Sequence, residues 1–460
     1  MSNSNFSSLS LAAPILSNLE SLGFKSMTAI QAQSLPLILA GKDVIAQGQT
    51  GSGKTVAFGL GILSIIDFSV FKPQGLVLCP TRELAEQVSS ELRRLARSIP
   101  NVKIITLYGG TPLKPQANSL EKGVHIVIGT PGRIEDHLNK NSLDLSHMKT
   151  LVLDEADRML DMGFQKTLDQ IIEQVPMDRQ TLLFSATFPD PIKVIAKKIM
   201  QSPVSTSVAP TQDTVRVDHR FYLVENDKHR MTALQLLLLD QTYTSAAVFC
   251  NTRQDTQIVA GGLKSAGFSA AALHGDMEQK DRDQTLIRFT NNSISVLVAT
   301  DVAARGLDIA SLDLVINYHL PREMDVYTHR IGRTGRAGAK GIACSLYNQN
   351  EQFRLEQLEK HLERQLNSVE LPADEVIRQA PPRPQMSTVR IEGGKKQKLR
   401  PGDIVGALTN GADINGEQIG KIQVFDNWAY VAVKRELNKI ALNKLTIGKL
   451  KGKSFRARLI

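Results

Sequence analysis

The stretch Gly48-Gln49-Thr50-Gly51-Ser52-Gly53-Lys54-Thr55 constrains this chain more than any other. It has the form G-x-x-x-x-G-K-[ST], and it lies between a strand-like run, Asp43-Val44-Ile45-Ala46, and a helix-like run from Thr55 through Ile66. That is the strand, loop and helix a phosphate-binding loop requires. Residues Gln49 to Thr55 are therefore expected to wrap a triphosphate. Backbone N–H groups would line it, the helix behind would add the positive end of its dipole, and Lys54 would reach the outer phosphates. Thr55 is expected to hold Mg2+. The alternative is a glycine-rich turn that binds nothing, and both flanks argue against it.

At 460 residues the chain is long for one core, so two or three domains are expected. From residue 20 to 365, short β-branched runs alternate with amphipathic helical runs, the pattern of parallel sheets covered by helices. One strand series runs through Gly75–Cys79, Ile104–Leu107, His125–Ile128, Leu151–Leu153 and Thr181–Phe184. After a looser stretch from Gln201 to Asp213, a second runs through Ala246–Phe249, Ala270–Leu273, Ser295–Val298, Leu314–Asn317 and Ile342–Ser345. Prolines 372, 381, 382 and 384 then predict an extended linker over residues 371–385. Cys79, Cys250 and Cys344 share no metal-ligand spacing and read as buried thiols. With no leader-like or membrane-spanning run, a cytoplasmic protein is expected.

Charge separates the last segment from the rest. Residues 386–460 hold 15 Lys and Arg against 6 Asp and Glu, which accounts for the whole net charge of +9 and leaves the preceding 385 residues neutral. So sharp an asymmetry points to a polyanion partner for that segment.

Asp154-Glu155-Ala156-Asp157 follows the apolar run Thr150–Leu153, which places carboxylates at a strand's C-terminal edge, where open α/β sheets bind ligands. Asp154 is expected to bind Mg2+ through its water shell, and Glu155 to polarise the attacking water. With this tetrad the sequence resembles the DEAD-box ATP-dependent RNA helicases. The other motifs fall in order: Gly23-Phe24 with Thr28 to Gln31, Pro80 to Ala85, Gly109-Gly110, Thr130 to Arg133, Ser185-Ala186-Thr187, Val248 to Thr252, Gln279 with Arg282, Ala299 to Asp301 through Arg305 to Asp308, and His329 to Arg336.

The resemblance implies a fold of two tandem RecA-like α/β domains, residues 1–207 and 208–370, which sandwich ATP. It further implies that Gln31 hydrogen-bonds adenine and Phe6 stacks on it, and that Gly306 and Asp308 lie at the nucleotide. Arg333 and Arg336 would be arginine fingers, so that hydrolysis requires the domains to close. Asp157, Ser185, Thr187 and His329 would couple ATP state to RNA state. Arg82, Gly109, Gly110, Thr130, Arg133, Arg282 and Thr300 match positions that grip one RNA strand by its phosphates and 2′-hydroxyls, without base readout. Met27 and Ala29 stand where the usual family form has proline.

Residues 386–460 read β-α-β-β-α-β, the order of RNA-recognition (RRM-like) folds. Trp428-Ala429-Tyr430-Val431 fits the middle of their aromatic strand motif, with both aromatics on one face; stacking on RNA and core packing both remain open for Trp428. Lys395, Lys396, Lys398, Arg400, Lys451, Lys453 and Arg456 add basic candidates. Such a tail on such a core resembles the bacterial DbpA group, with Gly393 to Lys396, Arg400 to Asp403 and Gly420 to Ile422. This implies 23S rRNA and pre-50S particles as partners, with no membrane and no obligate protein partner. The rival expectations are an ATP-gated RNA clamp and an mRNA-remodelling helicase.

Overall fold

The computed structural model describes residues 5–48, 51–208, 217–304, 312–335, 341–411 and 413–460. The described residues divide into two units, one holding those through 208 and the other those from 217 onward.

In the first unit the strands β1 (Val44–Gln47), β2 (Gly75–Leu78), β3 (Ile104–Leu107), β4 (Ile126–Gly129), β5 (Thr150–Asp154), β6 (Gln180–Ser185) and β7 (Val204–Ser207) form one sheet in the order β3-β4-β2-β5-β6-β1-β7. All its pairs are parallel. Apolar residues occupy successive positions because both faces are covered. Val44, Ala46, Val77, Val152, Leu182 and Phe184 meet the helices Ala29–Leu39, Lys54–Ile65 and Arg82–Leu95. Their neighbours Ile45, Leu76, Leu78, Leu151, Leu153 and Leu183 meet Pro131–Asn139, Gln165–Glu173 and Asp190–Ile199.

The second unit holds a parallel sheet of β8 (Val217–Leu223), β9 (Ala246–Cys250), β10 (Ala270–Leu273), β11 (Val296–Thr300), β12 (Leu314–Asn317) and β13 (Gly341–Tyr347), ordered β10-β11-β9-β12-β13-β8. Helices Asp227–Asp240 and Arg253–Ser265 cover one face. On the other face, the helices Met324–Ile331 and Gln352–Leu362 enclose Phe221, Ala343 and Tyr347. The three cysteines are buried free thiols.

Two strands depart from expectation. β7 lies inside the stretch read as loose, and β8 belonged to neither expected series. Both are edge strands in which polar residues interrupt the apolar ones, so their identity comes from backbone pairing with β1 and β13 rather than from an unbroken apolar run.

The same unit carries a third, antiparallel sheet of β14 (Met386–Ile391), β15 (Ile419–Val424), β16 (Ala429–Lys434) and β17 (Ala457–Leu459), ordered β15-β16-β14-β17. With the helices Pro401–Thr409 and Asn438–Ile447 it gives the expected β-α-β-β-α-β order. Val389, Ile391, Val431 and Val433 face those helices. Residues 371–385, expected to be an extended linker, are held instead. Leu371 packs against the core of the second parallel sheet, a 3-10 turn at Asp374–Arg378 lies on Asp227–Asp240, and Arg435 Nε donates to the Pro384 carbonyl at 2.7 Å. Among the described residues no helix is long and apolar enough to cross a membrane.

Candidate active site and nucleic-acid interface

The expected nucleotide groups of the first unit gather where the neighbouring strands β5, β6 and β1 end. Gly48 N–H donates to the Ser185 carbonyl at 3.0 Å, which fixes the start of the loop against the end of β6. Lys54 opens its helix and is only 6% exposed; its ammonium donates to the Gly48 carbonyl at 3.0 Å. Gly53, before it, has φ +94°, which a residue with a Cβ adopts only under strain.

Thr28 and Gln31 reach this loop from the preceding helix. Thr28 Oγ1 donates to the Ser52 carbonyl at 2.7 Å and Gln31 Nε2 to the Gly53 carbonyl at 3.0 Å, while Gln31 Oε1 accepts the Thr28 N–H at 2.9 Å. Both ends of the Gln31 amide, expected at adenine, are therefore engaged within the chain, in a capping box that braces the phosphate loop. Phe6, expected to stack on adenine, is 3% exposed and packs edge-on against Phe24 at 6.1 Å. Gln49 and Thr50 lie outside the described residues.

Asp154 ends β5 and is 3% exposed, accepting from the Glu155 N–H. Burial pushes its pKa up to about 7, with the Glu155 charge adding to the rise and Lys54 opposing it. Its Oδ1 is buried without a hydrogen-bond partner among the described residues. A buried carboxylate oxygen left in that state beside a phosphate loop fits a bound cation. Glu155 is buried at φ +52°, a left-handed backbone uncommon outside glycine that is found at constrained sites. Two residues on, Asp157 Oδ2 accepts from Thr187 N–H at 3.1 Å and from Thr187 Oγ1 at 3.0 Å. Ser185 Oγ donates to the Thr187 carbonyl at 2.6 Å. Three of the four expected coupling residues thus form one network; His329 belongs to the other unit.

The expected RNA contacts occupy the other half of the sheet, after β2, β3 and β4. The Arg82 guanidinium lies against the Gly109-Gly110 turn so closely that a Cβ on Gly110 would sit 2.2 Å from Arg82 Nη1. Arg133 Nη1 donates to the Thr111 carbonyl at 3.0 Å and to Gln116 Oε1 at 2.9 Å, so it braces that turn. Thr130 is the N-cap residue of the next helix. In the second unit, Thr300 ends β11 and Arg282 lies in the helix Gln279–Thr290, with Nη1 donating to the His274 carbonyl at 3.4 Å.

A residue quoted only as part of a motif proves central to that unit. Arg330 is buried and grips Asp301 bidentately, Nε to Oδ1 at 2.6 Å and Nη2 to Oδ2 at 2.7 Å, with further bonds to Asn317, Asn251 and the His319 carbonyl. The signal available in sequence was an arginine amid apolar helix positions and an aspartate at a strand end. Arg333 is buried three residues on. Arg336, Gly306 and Asp308 lie outside the described residues.

In the C-terminal domain the basic candidates collect at one end of the sheet. Lys395 and Lys396 N–H donate to the Phe425 and Asp426 carbonyls at 2.8 and 2.9 Å, and Lys451 Nζ reaches the Lys398 carbonyl at 3.3 Å. The segment after β14, the β15–β16 turn and the segment before β17 therefore make one rim, bearing Lys395, Lys396, Lys398, Lys451, Lys453 and Arg456, with Arg400 following at the next helix. Trp428 sits half-buried in that turn, its ring under the Arg390 guanidinium at 5.3 Å. Tyr430 differs from expectation. It is 1% exposed, because the sheet face it shares with Thr388 and Arg390 is covered, so its ring is not open for stacking.

The fold and these sites define a nucleotide-dependent enzyme of the two-RecA-domain class, and sequence comparison specifies it. The DEAD/DEAH box helicase family matches residues 28–195, the helicase conserved C-terminal domain 229–338, and the DbpA RNA binding domain 388–459. The chain is 50% identical over 456 residues to the ATP-dependent RNA helicase DbpA of Escherichia coli K12, covering 99% of each. It is 43% identical to the DEAD-box ATP-dependent RNA helicase CshA of Bacillus cereus over 81% of this chain and 71% of that one. The solved structure of S. cerevisiae Dbp5 bound to RNA and ADP BeF3 matches with TM-score 0.72 and 29% identity, over 82% of this chain and 100% of that one. The chain belongs to the DEAD-box ATP-dependent RNA helicases, and within them to the DbpA type with its C-terminal RNA-binding domain.

Proposed function

We propose that this helicase separates RNA strands locally during assembly of the large ribosomal subunit in the cytoplasm, directed by its C-terminal domain to a hairpin of 23S rRNA. The observation that carries the targeting is the basic rim: a core of zero net charge holds RNA weakly, whereas a rim gathering the chain's excess lysines and arginines supplies counterion release.

In the core, Gln49 to Thr55 wrap the phosphates of ATP, Gln31 and Phe6 reach adenine by giving up the contacts they make here with Thr28, Gly53 and Phe24, and Gly306 and Asp308 complete the nucleotide contacts. Thr55 and Asp154 would hold Mg2+, which neutralises charge on the phosphates when bound. Glu155 accepts a proton from the attacking water and orients it. Lys54, Arg333 and Arg336 stabilise charge on the transferring phosphoryl group. The Asp157–Thr187 hydrogen bonds tie the carboxylate strand to the next one, a path by which a change at the phosphates can reach the RNA side. Arg82, Gly109, Gly110, Thr130, Arg133, Arg282 and Thr300 hold the RNA backbone. The Dbp5 structure with RNA and a nucleotide complex supports this division of ligands.

The test replaces Lys395, Lys396, Lys451 and Lys453 with Ser in the full chain and measures ATPase stimulation by 23S rRNA and by an unrelated RNA of equal length. The parent should favour 23S rRNA and the variant should treat the two alike. The log–log salt slope of binding should also become shallower by about 0.7–0.9 for each phosphate that is no longer neutralised. A variant that still discriminates as well as the parent would put specificity in the core.

A further inference from the structure

RNA-recognition sheets bind with an open face, and here that face is closed by the chain itself. Thr388 is fully buried, with Oγ1 2.7 Å from Ser293 Oγ and accepting from Asn291 Nδ2 at 3.2 Å. Asn291 and Ser293 follow directly on the helix Gln279–Thr290, which carries Arg282. Burial raises the Tyr430 pKa, and the Asp283 charge, nearer that helix's start, adds to the rise while Arg390 and Arg458 of the sheet oppose it. The helix thus lies along the face built from Thr388, Arg390 and Tyr430.

Arg390 connects this seam to the rim. It pairs with Tyr430 across β14 and β16 and is 7% exposed, with Nε and Nη1 lacking hydrogen-bond partners among the described residues. Its guanidinium lies over Trp428, whose turn bonds to Lys395 and Lys396 through the Phe425 and Asp426 carbonyls. A buried guanidinium held by an aromatic face and few hydrogen bonds responds strongly to small displacements of that ring.

We propose that the sheet face of the C-terminal domain is an intramolecular joint to the helix bearing Arg282, and that Arg390 is the positioning residue through which RNA on the rim aligns that helix. The domain is then a fixed arm of the second helicase domain, and the pinned segment 371–385 is part of its mounting. The joint itself is independent of which RNA the rim selects, while its functional consequence rests on the rim reading above.

The test uses the full chain with single cysteines in place of the exposed Lys264 and Lys439 for a dye pair, the native thiols being buried. Thr388→Lys puts a charge into the seam, Thr388→Ser keeps the hydroxyl, and Arg390→Met removes the guanidinium at similar length. The parent, Thr388→Ser and Arg390→Met should each show one narrow energy-transfer population, and Thr388→Lys a broad one. With unstructured poly(A) all should turn over ATP within twofold of the parent. With 23S rRNA, Thr388→Lys and Arg390→Met should need roughly tenfold more RNA for half-saturation, a difference of about 1.4 kcal/mol. A broad population in the parent, or a narrow one in Thr388→Lys, overturns the joint. Unchanged half-saturation in an opened Thr388→Lys or in Arg390→Met overturns the positioning role. Failure of the parent to prefer 23S rRNA over poly(A) would instead strike the rim reading, with the energy-transfer result still deciding the joint.

Discussion

Asp154 of the first unit and Asp301 of the second both stand at the C-terminal end of a buried parallel strand, yet their surroundings are opposite. Asp301 has both carboxylate oxygens taken by Arg330, which in turn is bonded to Asn317, Asn251 and the His319 carbonyl. Asp154 is buried with one oxygen unpartnered among the described residues and its pKa pushed up to about 7. Folding tolerates a buried charge when its partners are inside the protein, and bears a penalty when they are not. The difference supports the proposed separation of scaffold from site: the satisfied pair holds the second sheet together, and the unsatisfied carboxylate fits the proposed ligand site.

The largest effect that bears on this contrast is expected at the carboxylate beside Asp154. Glu155→Gln should slow RNA-stimulated ATP turnover by about a hundredfold to ten-thousandfold, with ATP affinity within a few-fold, measured by single-turnover hydrolysis and nucleotide titration. Comparable losses of affinity and turnover would assign Glu155 to ground-state binding. On the scaffold side, Arg330→Met should cost about 3–5 kcal/mol of stability in the second unit by stranding Asp301, seen as a lower urea midpoint. A loss below about 1 kcal/mol would mean that the network contributes little.

Smaller effects sharpen the comparison. Thr187→Val removes one of the two hydrogen bonds that Thr187 donates to Asp157 and should cost about 1 kcal/mol. Duplex release per ATP hydrolysed should fall more than hydrolysis itself; equal falls would make the Thr187 hydroxyl a matter of stability alone. His219, bonded to the Tyr327 hydroxyl at 2.8 Å, has its pKa lowered to about 4 by burial, with the Arg364 charge adding to the fall. Unfolded histidine takes up its proton near pH 6.5 and the folded one resists until about pH 4. Stability that is full above pH 6.5 should therefore be lost as pH falls toward 4, by at most about 3 kcal/mol. Urea titrations of His219→Gln should lack that slope.

The elements of the proposed site were legible because they are local in sequence. Phosphate-loop glycines, an acidic tetrad after an apolar run and a serine-alanine-threonine strand end are each fixed by short backbone geometry, and the structure assembles them at adjacent strands β5, β6 and β1. Strands buried on both faces were legible for the same reason, whereas β7 and β8 were not, since an edge strand is defined by its neighbour's hydrogen bonds. The Arg330–Asp301 pair needed two distant segments brought together. Tyr430 shows the limit most clearly: alternation along β16 placed it on the face opposite the domain's own core, but only the position of Asn291, Ser293 and Asp283 reveals that this face is covered.

The distinction between site and scaffold comes down to one substitution. Asp154→Asn keeps shape and removes the buried charge, so urea unfolding of parent and variant should be compared between pH 5 and 8. The folded carboxyl has a raised pKa, so the parent should lose stability as pH rises from about 4 to 7, and the variant should not. By pH 8 the variant should be more stable by about 1–3 kcal/mol while failing to hydrolyse ATP. A variant that is less stable than the parent at pH 8 would show that Asp154 is satisfied within the fold, contradicting its reading as the residue that awaits a ligand.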